Sequence, residues 1–177
     1  MKLYRCRICG DTYLGSEAPS HCPFCGAHRA LIVDTTEFPS GINDVQPTES
    51  ELADLNASIE LERANTRFYL GMALRKENEA LSSGYKRLAK VEAEHCGIFC
   101  KLAKVAKPAD LMEPGETSGD WKTDIEESLG REKRASSLYD EFAARATGER
   151  LKEVWEAISA VEADHIELDK VALTLVD

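Results

Sequence analysis

A repeated Glu-x-x-His motif limits what this chain can fold into more than any other feature of its sequence. Val91-Glu92-Ala93-Glu94-His95 returns as Val161-Glu162-Ala163-Asp164-His165, and both copies lie in segments of helical periodicity. Residues three apart on a helix share one face, so each copy presents a carboxylate and an imidazole together. The same offset of 70 residues relates Glu62/Glu132, Tyr69/Tyr139, Arg75/Arg145 and Leu81/Leu151. The sequence therefore predicts an internal repeat of two helical hairpins.

The repeat supplies a complete ligand set for two metal ions. A Glu-x-x-His from each of two helices and a single Glu from each of two others form the dinuclear sites of ferritin-like bundles. Four carboxylates and two imidazoles suit iron or manganese, and burying the carboxylates without cations would be very unfavourable. The alternative is that these are ordinary solvated acids, which six matched positions argue against. The predicted ligands are Glu62, Glu92, His95, Glu132, Glu162 and His165.

Two tyrosines and two cysteines accompany these residues on the predicted helices. Tyr69 and Tyr139 follow Glu62 and Glu132 by seven residues, on the same helical face. They are interpreted either as hydrogen-bond donors to ligand carboxylates or as core tyrosines. The sequence favours packing over redox chemistry for the second pair, Cys96 and Cys100.

Four further cysteines predict a separate metal site near the N-terminus. The motifs Cys6-Arg7-Ile8-Cys9-Gly10 and Cys22-Pro23-Phe24-Cys25-Gly26 are separated by twelve residues. Two Cys-x-x-Cys turns form a tetrahedral thiolate site, and so short a segment needs a metal to fold. The interpretation is one redox-active iron bound by Cys6, Cys9, Cys22 and Cys25. A structural zinc site and a pair of disulfides are the alternatives.

The chain divides into three parts by its periodicity. Residues 1–35 form the predicted thiolate domain, 36–47 a linker without either period, and 48–177 a four-helix bundle. The fold class is therefore mainly α, with helices expected at about 48–77, 80–106, 120–146 and 149–175. Pseudo-two-fold symmetry requires the second and third helices to run parallel, so 107–119 must cross over along the bundle. Exchange of helices between two chains remains an alternative.

Composition excludes several partners. The net charge of −10 argues against nucleic acid and anionic membranes, and no apolar run reaches the length of a membrane span. The first cysteine comes too early for a signal peptide. Paired Cys motifs read as metal sites in reducing compartments, so a cytoplasmic location is expected.

The motifs together resemble one protein family. Cys6-x-x-Cys9 and Cys22-Pro-x-Cys25 resemble the short rubredoxin-like domain of rubrerythrins. Glu62 with Tyr69, Glu92-x-x-His95, Tyr139-Asp140-Glu141-Phe142-Ala143 and Glu162-x-x-His165 resemble the rubrerythrin di-iron bundle. The resemblance covers almost the whole chain, and its domain order is that of reverse rubrerythrins, with the rubredoxin-like domain first.

The resemblance implies a cytoplasmic non-haem peroxidase that counters oxidative stress by reducing hydrogen peroxide to water. Its cofactors would be a mononuclear tetrathiolate iron and a di-iron centre, with zinc or manganese as substitutes. Electrons would come from a reductase or another donor and pass through the tetrathiolate iron. The resemblance also implies a homodimer in which the thiolate site of one subunit serves the bundle of the other.

The third helix departs from the family pattern. Typical members carry two glutamates three apart, the first eight residues before the tyrosine. Here Arg131 and Arg134 occupy those positions, while Glu132 stands seven before Tyr139 and is followed three later by Ala135. The extra glutamate is therefore missing, with Glu126 and Glu127 as candidate substitutes. This favours, as alternatives, an oxidase or ferroxidase that uses dioxygen. A non-enzymatic iron- or zinc-binding protein is the other alternative.

Overall fold

Four helices of 25 residues each carry the repeat. In the computed structural model, which describes residues 1–176, they are α1 (Glu49–Ala73), α2 (Glu79–Ala103), α3 (Trp121–Arg145) and α4 (Glu149–Leu173). α1 packs along α2 and α3 along α4, as two antiparallel hairpins. The predicted fold class, a mainly α bundle with a small N-terminal metal-binding domain, is confirmed. Among the described residues, no helix combines the length and the apolarity that crossing a bilayer requires.

Three of the helices end earlier than their periodicity predicts. α1 stops at Ala73 instead of about residue 77, because the Asn78 side chain accepts from Leu81 N and starts α2. α2 stops at Ala103 instead of about residue 106, where Lys104 turns the chain with φ 58°. α4 stops at Leu173 instead of about residue 175. Charged residues follow the ends of α1 and α2, and the apolar Leu175 follows the end of α4, so the residue pattern alone does not mark where these helices stop.

The N-terminal segment adds a small antiparallel sheet that the sequence did not predict. Its strands are β1 (Lys2–Cys6), β2 (Thr12–Gly15) and β3 (Ile32–Asp34), in the order β2-β1-β3. Tyr4 on the central strand pairs with Tyr13 on one side and Asp34 on the other. The sheet supports the loops that carry the cysteine pairs.

The connection between α2 and α3 crosses over along α1. Asp110 accepts hydrogen bonds from the Arg63 guanidinium at 2.8 and 2.5 Å, and Gly115 N donates to Arg67 O at 2.7 Å. A Cβ on Gly71 would lie 2.4 Å from Gly115 O, so glycine there lets the loop approach the helix backbone. The crossover returns the chain to the end where α2 begins, so α2 and α3 run parallel within a single chain.

Glu51 ties the starts of α1 and α4 together. It forms a capping box with Thr48, so the first helix begins where the sequence predicted. Its second carboxylate oxygen accepts from Thr147 N, Thr147 Oγ1 and Gly148 N at 2.8–3.0 Å. Gly148 has no side chain to cap α4, and Glu51 instead fixes the residues that lead into that helix.

Replacing Glu51 by Gln should destabilise the bundle by about 1–3 kcal/mol, since hydrogen bonds to a buried charged acceptor are lost. Burial alone would raise the pKa of Glu51, but the backbone N–H groups of Thr48, Gly148 and Thr147 lower it to about 2, from an ordinary 4.5. A lowered carboxyl pKa stabilises the fold above the unfolded value and loses that contribution as pH falls towards the folded value.

Denaturant unfolding of the wild type and Glu51→Gln should therefore show a constant stability difference above about pH 5 that shrinks towards pH 2. Glu49→Gln, an exposed acid in the same helical turn, serves as the control and should cost little. An equal loss in both variants at neutral pH would contradict the capping role.

Candidate metal centre

The six predicted ligands of the repeat meet in the middle of the bundle. Their ligand atoms form two overlapping groups, each with all atoms within 4.8 Å of one another. The first group is Glu62, Glu92, His95 and Glu162, and the second is Glu92, Glu132, Glu162 and His165. The four carboxylates and His95 are 0% exposed and His165 is 7% exposed. Glu92 and Glu162 belong to both groups, so each is placed to bridge two ions.

The two imidazoles face the carboxylates in matching ways. His95 Nδ1 lies 3.1 Å from Glu162 and 3.6 Å from Glu92, while His165 Nδ1 lies 3.1 Å from Glu162 and 3.0 Å from Glu92. Each Nδ1 also faces the glutamate of α1 or α3, at 3.7 Å for Glu62 and 3.6 Å for Glu132. Ligands about 2.1 Å from one ion stand roughly 3.0–3.4 Å apart. The three shorter separations, of 3.0–3.1 Å, match that spacing, and the other three, of 3.6–3.7 Å, lie slightly beyond it.

Missing hydrogen bonds are a second observation that fits a pair of cations. Most nitrogen and oxygen atoms that these side chains direct into the pocket have no hydrogen-bond partner. The unpaired atoms are Glu62 Oε2, both carboxylate oxygens of Glu92, His95 Nδ1, Glu132 Oε2 and Glu162 Oε1. Burial, reinforced by the charges of Glu92 and Glu162, raises the pKa of Glu62 and of Glu132 well above the usual range. The buried acids therefore require protons or metal ions to neutralise them.

The two tyrosines hydrogen-bond the ligand carboxylates across the repeat. Tyr139 Oη donates to Glu62 Oε1 at 2.6 Å, and Tyr69 Oη donates to Glu132 Oε1. Burial raises the pKa of both phenols well above the usual value, so they remain protonated donors. Each hydroxyl holds one carboxylate oxygen and leaves the other directed into the pocket.

The four N-terminal cysteines form a second buried cluster. Cys6 and Cys25 have Sγ atoms 3.7 Å apart, and Cys9 and Cys22 have theirs 3.8 Å apart. Thiolates bound at about 2.3 Å to one tetrahedral ion stand roughly 3.8 Å apart, whereas disulfide sulfurs are about 2.05 Å apart. All four thiols are free, so the disulfide alternative is wrong and the tetrathiolate geometry is met.

Donors from the bundle fasten the cysteine loops to it. His95 Nε2 donates to Cys25 O at 2.8 Å, so the nitrogen that faces the carboxylates, Nδ1, is left free of its proton when the ring is neutral. Lys101 Nζ donates to Cys9 O at 3.2 Å, and the Arg150 guanidinium donates to Arg7 O at 2.7 Å. The contact between His95 and Cys25 joins the two clusters directly. The sequence did not predict this contact, because the acceptor is a backbone carbonyl and does not require a particular residue type at that position.

The substitutes considered for the missing glutamate do not reach the pocket. Glu126 and Glu127 are exposed, and Ala135, which follows Glu132 by three residues, is fully buried and has no carboxylate. Among the described residues, no further acid joins either metal-ligand group. Cys96 and Cys100 are buried, and burial raises the pKa of Cys96 to about 12, which favours packing over redox chemistry.

Comparison with known proteins finds two matches, one to the N-terminal segment and one to most of the chain. Residues 4–31 match the family described as the rubredoxin-like domain of rubrerythrin. The chain is also 30% identical over 156 residues to Reverse rubrerythrin-1 of Clostridium acetobutylicum, an alignment that covers 82% of this chain and 81% of that relative.

Replacing Tyr139 by Phe should weaken metal binding at the carboxylate cluster by about 10–100-fold, because Glu62 loses the donor that orients it. Metal content after dialysis against graded chelator measures the change. Tyr85→Phe removes an equally buried hydroxyl that donates to Asp169 instead, at 2.8 Å, and is the matched control. Equal retention of metal by the wild type and Tyr139→Phe would show that this hydroxyl does not support the site.

Proposed function

Since the chain belongs to the rubrerythrin family and is of the reverse type, we propose that it is a non-haem di-iron peroxidase. It reduces hydrogen peroxide to water with electrons relayed through a tetrathiolate iron. The 2.8 Å hydrogen bond from His95 Nε2 to Cys25 O carries this proposal, because it connects a predicted ligand of one centre to a ligand residue of the other.

The proposed division of the chain follows the roles of its residues. Residues 1–35 hold the mononuclear site through Cys6, Cys9, Cys22 and Cys25, 36–47 form the linker, and 48–177 form the bundle. Bound iron supplies a one-electron carrier at the thiolates and a two-electron reductant at the carboxylate cluster. The proposed catalytic and metal residues of the bundle are Glu62, Glu92, His95, Glu132, Glu162 and His165, with Tyr69 and Tyr139 orienting the carboxylates.

The protein residues contribute positioning and insulation. Tyr139 and Tyr69 each keep one oxygen of Glu62 and Glu132 engaged, so only the other oxygen is free to move. The cluster is closed to bulk water on the His95 side, because the docked cysteine loop covers that ring completely. A small oxidant fits such a closed site better than a large substrate does.

A di-iron oxidase or ferroxidase that uses dioxygen is the second candidate. The buried methyl group of Ala135 supports it, since a carboxylate that could change its position with redox state is absent there. The remaining proposed partners are a reductase or other electron donor and a second copy of the chain. The proposed location is the cytoplasm.

Peroxide should reoxidise the anaerobically reduced, iron-loaded protein rapidly, as followed by stopped-flow absorbance of the tetrathiolate iron. Glu92→Gln removes the charge of a carboxylate shared by both ligand groups and should slow this reoxidation by about 100-fold or more. Glu126→Gln, an exposed acid of the same length on α3, should behave as the wild type.

The same instrument separates the alternatives. Faster reoxidation by dioxygen than by equimolar peroxide would favour the oxidase. A colourless protein that contains only zinc would leave the non-enzymatic alternative. Equal rates in the wild type and Glu92→Gln with both peroxide and dioxygen would refute both enzymatic candidates.

Loosening the docked cysteine loops should slow electron relay without changing the carboxylate cluster. Arg150 holds the first loop through Arg7 O at 2.7 Å and Ile8 O at 3.2 Å. Arg150→Met should slow reoxidation of the thiolate iron by up to about tenfold, the factor that corresponds to about 1.4 kcal/mol. The faster phase at the carboxylate cluster should keep its rate. Lys152→Met, which replaces an exposed cation of α4 that lies 3.9 Å from Glu156, is the control.

Mixing two inactive variants tests whether the relay joins different subunits. Cys22→Ser lacks the thiolate site and Glu92→Ala lacks a shared carboxylate. Recovery of thiolate reoxidation after the two are unfolded and refolded together would establish the exchange between subunits that the family resemblance implies. Absence of recovery would favour relay within one chain, for which the contact between His95 and Cys25 of the same chain is the support.

A further inference from the structure

The two histidines outside the carboxylate cluster meet at one aspartate on the surface. The chain has four histidines, of which His95 and His165 belong to the buried pocket. His28 Nε2 lies 2.7 Å from Asp164 Oδ2, and His21 Nε2 lies 3.5 Å from the same oxygen. The two imidazole rings are 4.9 Å apart and nearly perpendicular, at 88°. Both remaining imidazoles of the chain therefore direct the same nitrogen at a single carboxylate.

The backbone holds these side chains in place from two directions. His21 and His28 face each other across an isolated antiparallel bridge that closes the loop of Cys22 and Cys25. Asp164 projects from α4, one residue before His165. The three residues thus span the seam between the N-terminal domain and the bundle, and three donor atoms from them lie within 4.8 Å of one another.

We propose that His21, His28 and Asp164 form a third metal site, which binds one divalent transition-metal ion across this seam. Two imidazoles and one carboxylate are a recurrent donor set for zinc, nickel, copper and ferrous ions. Donor atoms around such an ion stand roughly 3.0–3.4 Å apart. His28 Nε2 would therefore move slightly away from Asp164 Oδ2, and His21 Nε2 would move slightly towards it.

The three side chains are about half exposed, so this is a solvent-accessible metal site. The side chains of His21, His28 and Asp164 are 51%, 46% and 49% exposed, so water completes the coordination and the ion exchanges with solvent. This separates it from the two buried centres, whose ligands are almost wholly enclosed. An ion here ties the loop that carries Cys22 to the helix that carries His165, and so stabilises the docked arrangement of the two domains. The site does not depend on the proposed peroxidase activity.

Titration of Ni²⁺ into the untagged, iron-loaded, oxidised protein tests the proposal by calorimetry. Ni²⁺ favours imidazole nitrogen, and an iron-loaded protein has its thiolate and carboxylate sites filled. The expected result is one Ni²⁺ bound per chain with iron content and visible spectrum unchanged. His21→Ala, His28→Ala and Asp164→Asn should each weaken this binding at least tenfold. Glu167→Gln, an exposed acid one turn along α4 from Asp164, should not.

Thermal unfolding supplies a second readout that does not involve activity. A ligand bound only by the folded protein raises Tm with its concentration, so Ni²⁺ at one concentration should raise Tm of the wild type and of Glu167→Gln more than Tm of the three variants. Undiminished Ni²⁺ binding by His21→Ala and His28→Ala would overturn the proposal. Release of iron in step with Ni²⁺ uptake would also overturn it, since the ion would then occupy a buried centre.

Discussion

The burial of four carboxylates in one layer of the bundle is the constraint on which the rest of the structure depends. A carboxylate without a partner in the protein interior is very costly, and here four of them lie within reach of one another. The helices can pack only if protons or cations neutralise that layer and neighbouring groups hydrogen-bond its carboxylates. Tyr69 and Tyr139 reach across the repeat to do part of this, so each hairpin completes the ligand sphere of the other. Hydrogen bonds to the buried carboxylates therefore join the two hairpins, in addition to side-chain packing.

The cysteine loops depend on the bundle for a related reason. Loops that wrap a metal expose backbone carbonyls, and buried carbonyls require donors. His95, Lys101 and Arg150 supply these donors from two helices, while Gly26 lies so close to α4 that an added Cβ would stand 2.6 Å from Val161. Gly26 also has φ 74°, which favours glycine, so the turn of the loop and its fit against the helix require the same residue. The segment around Gly26 therefore both holds the cysteines and contacts the bundle.

The sequence predicted side-chain chemistry well and backbone geometry less well, for physical reasons. A ligand set at matched offsets is visible because Glu and His must recur on one helical face, and the structure brings all six together. The helix ends were placed too late because Arg75 and Glu77 continue a polar helical pattern through a turn that Asn78 imposes. The sheet was missed because its strands have only three to five residues, too few to show alternation. The hydrogen bond to Cys25 O could not be predicted from the sequence, because every residue has a backbone carbonyl and none is marked as the acceptor.

Docking of a single N-terminal domain breaks the symmetry that the repeat creates. His95 and His165 occupy equivalent positions and face equivalent carboxylates, yet only His95 donates its outer nitrogen to a cysteine carbonyl. Beyond them the halves diverge further, since Phe99 packs on the Tyr139 ring at 5.5 Å while its counterpart Asp169 accepts from Tyr85. One side of the pocket therefore contacts a cysteine loop through His95, and the other lies near the buried acid Asp169. Duplication provides two equivalent sets of candidate metal ligands, and the attached domain then makes their surroundings different.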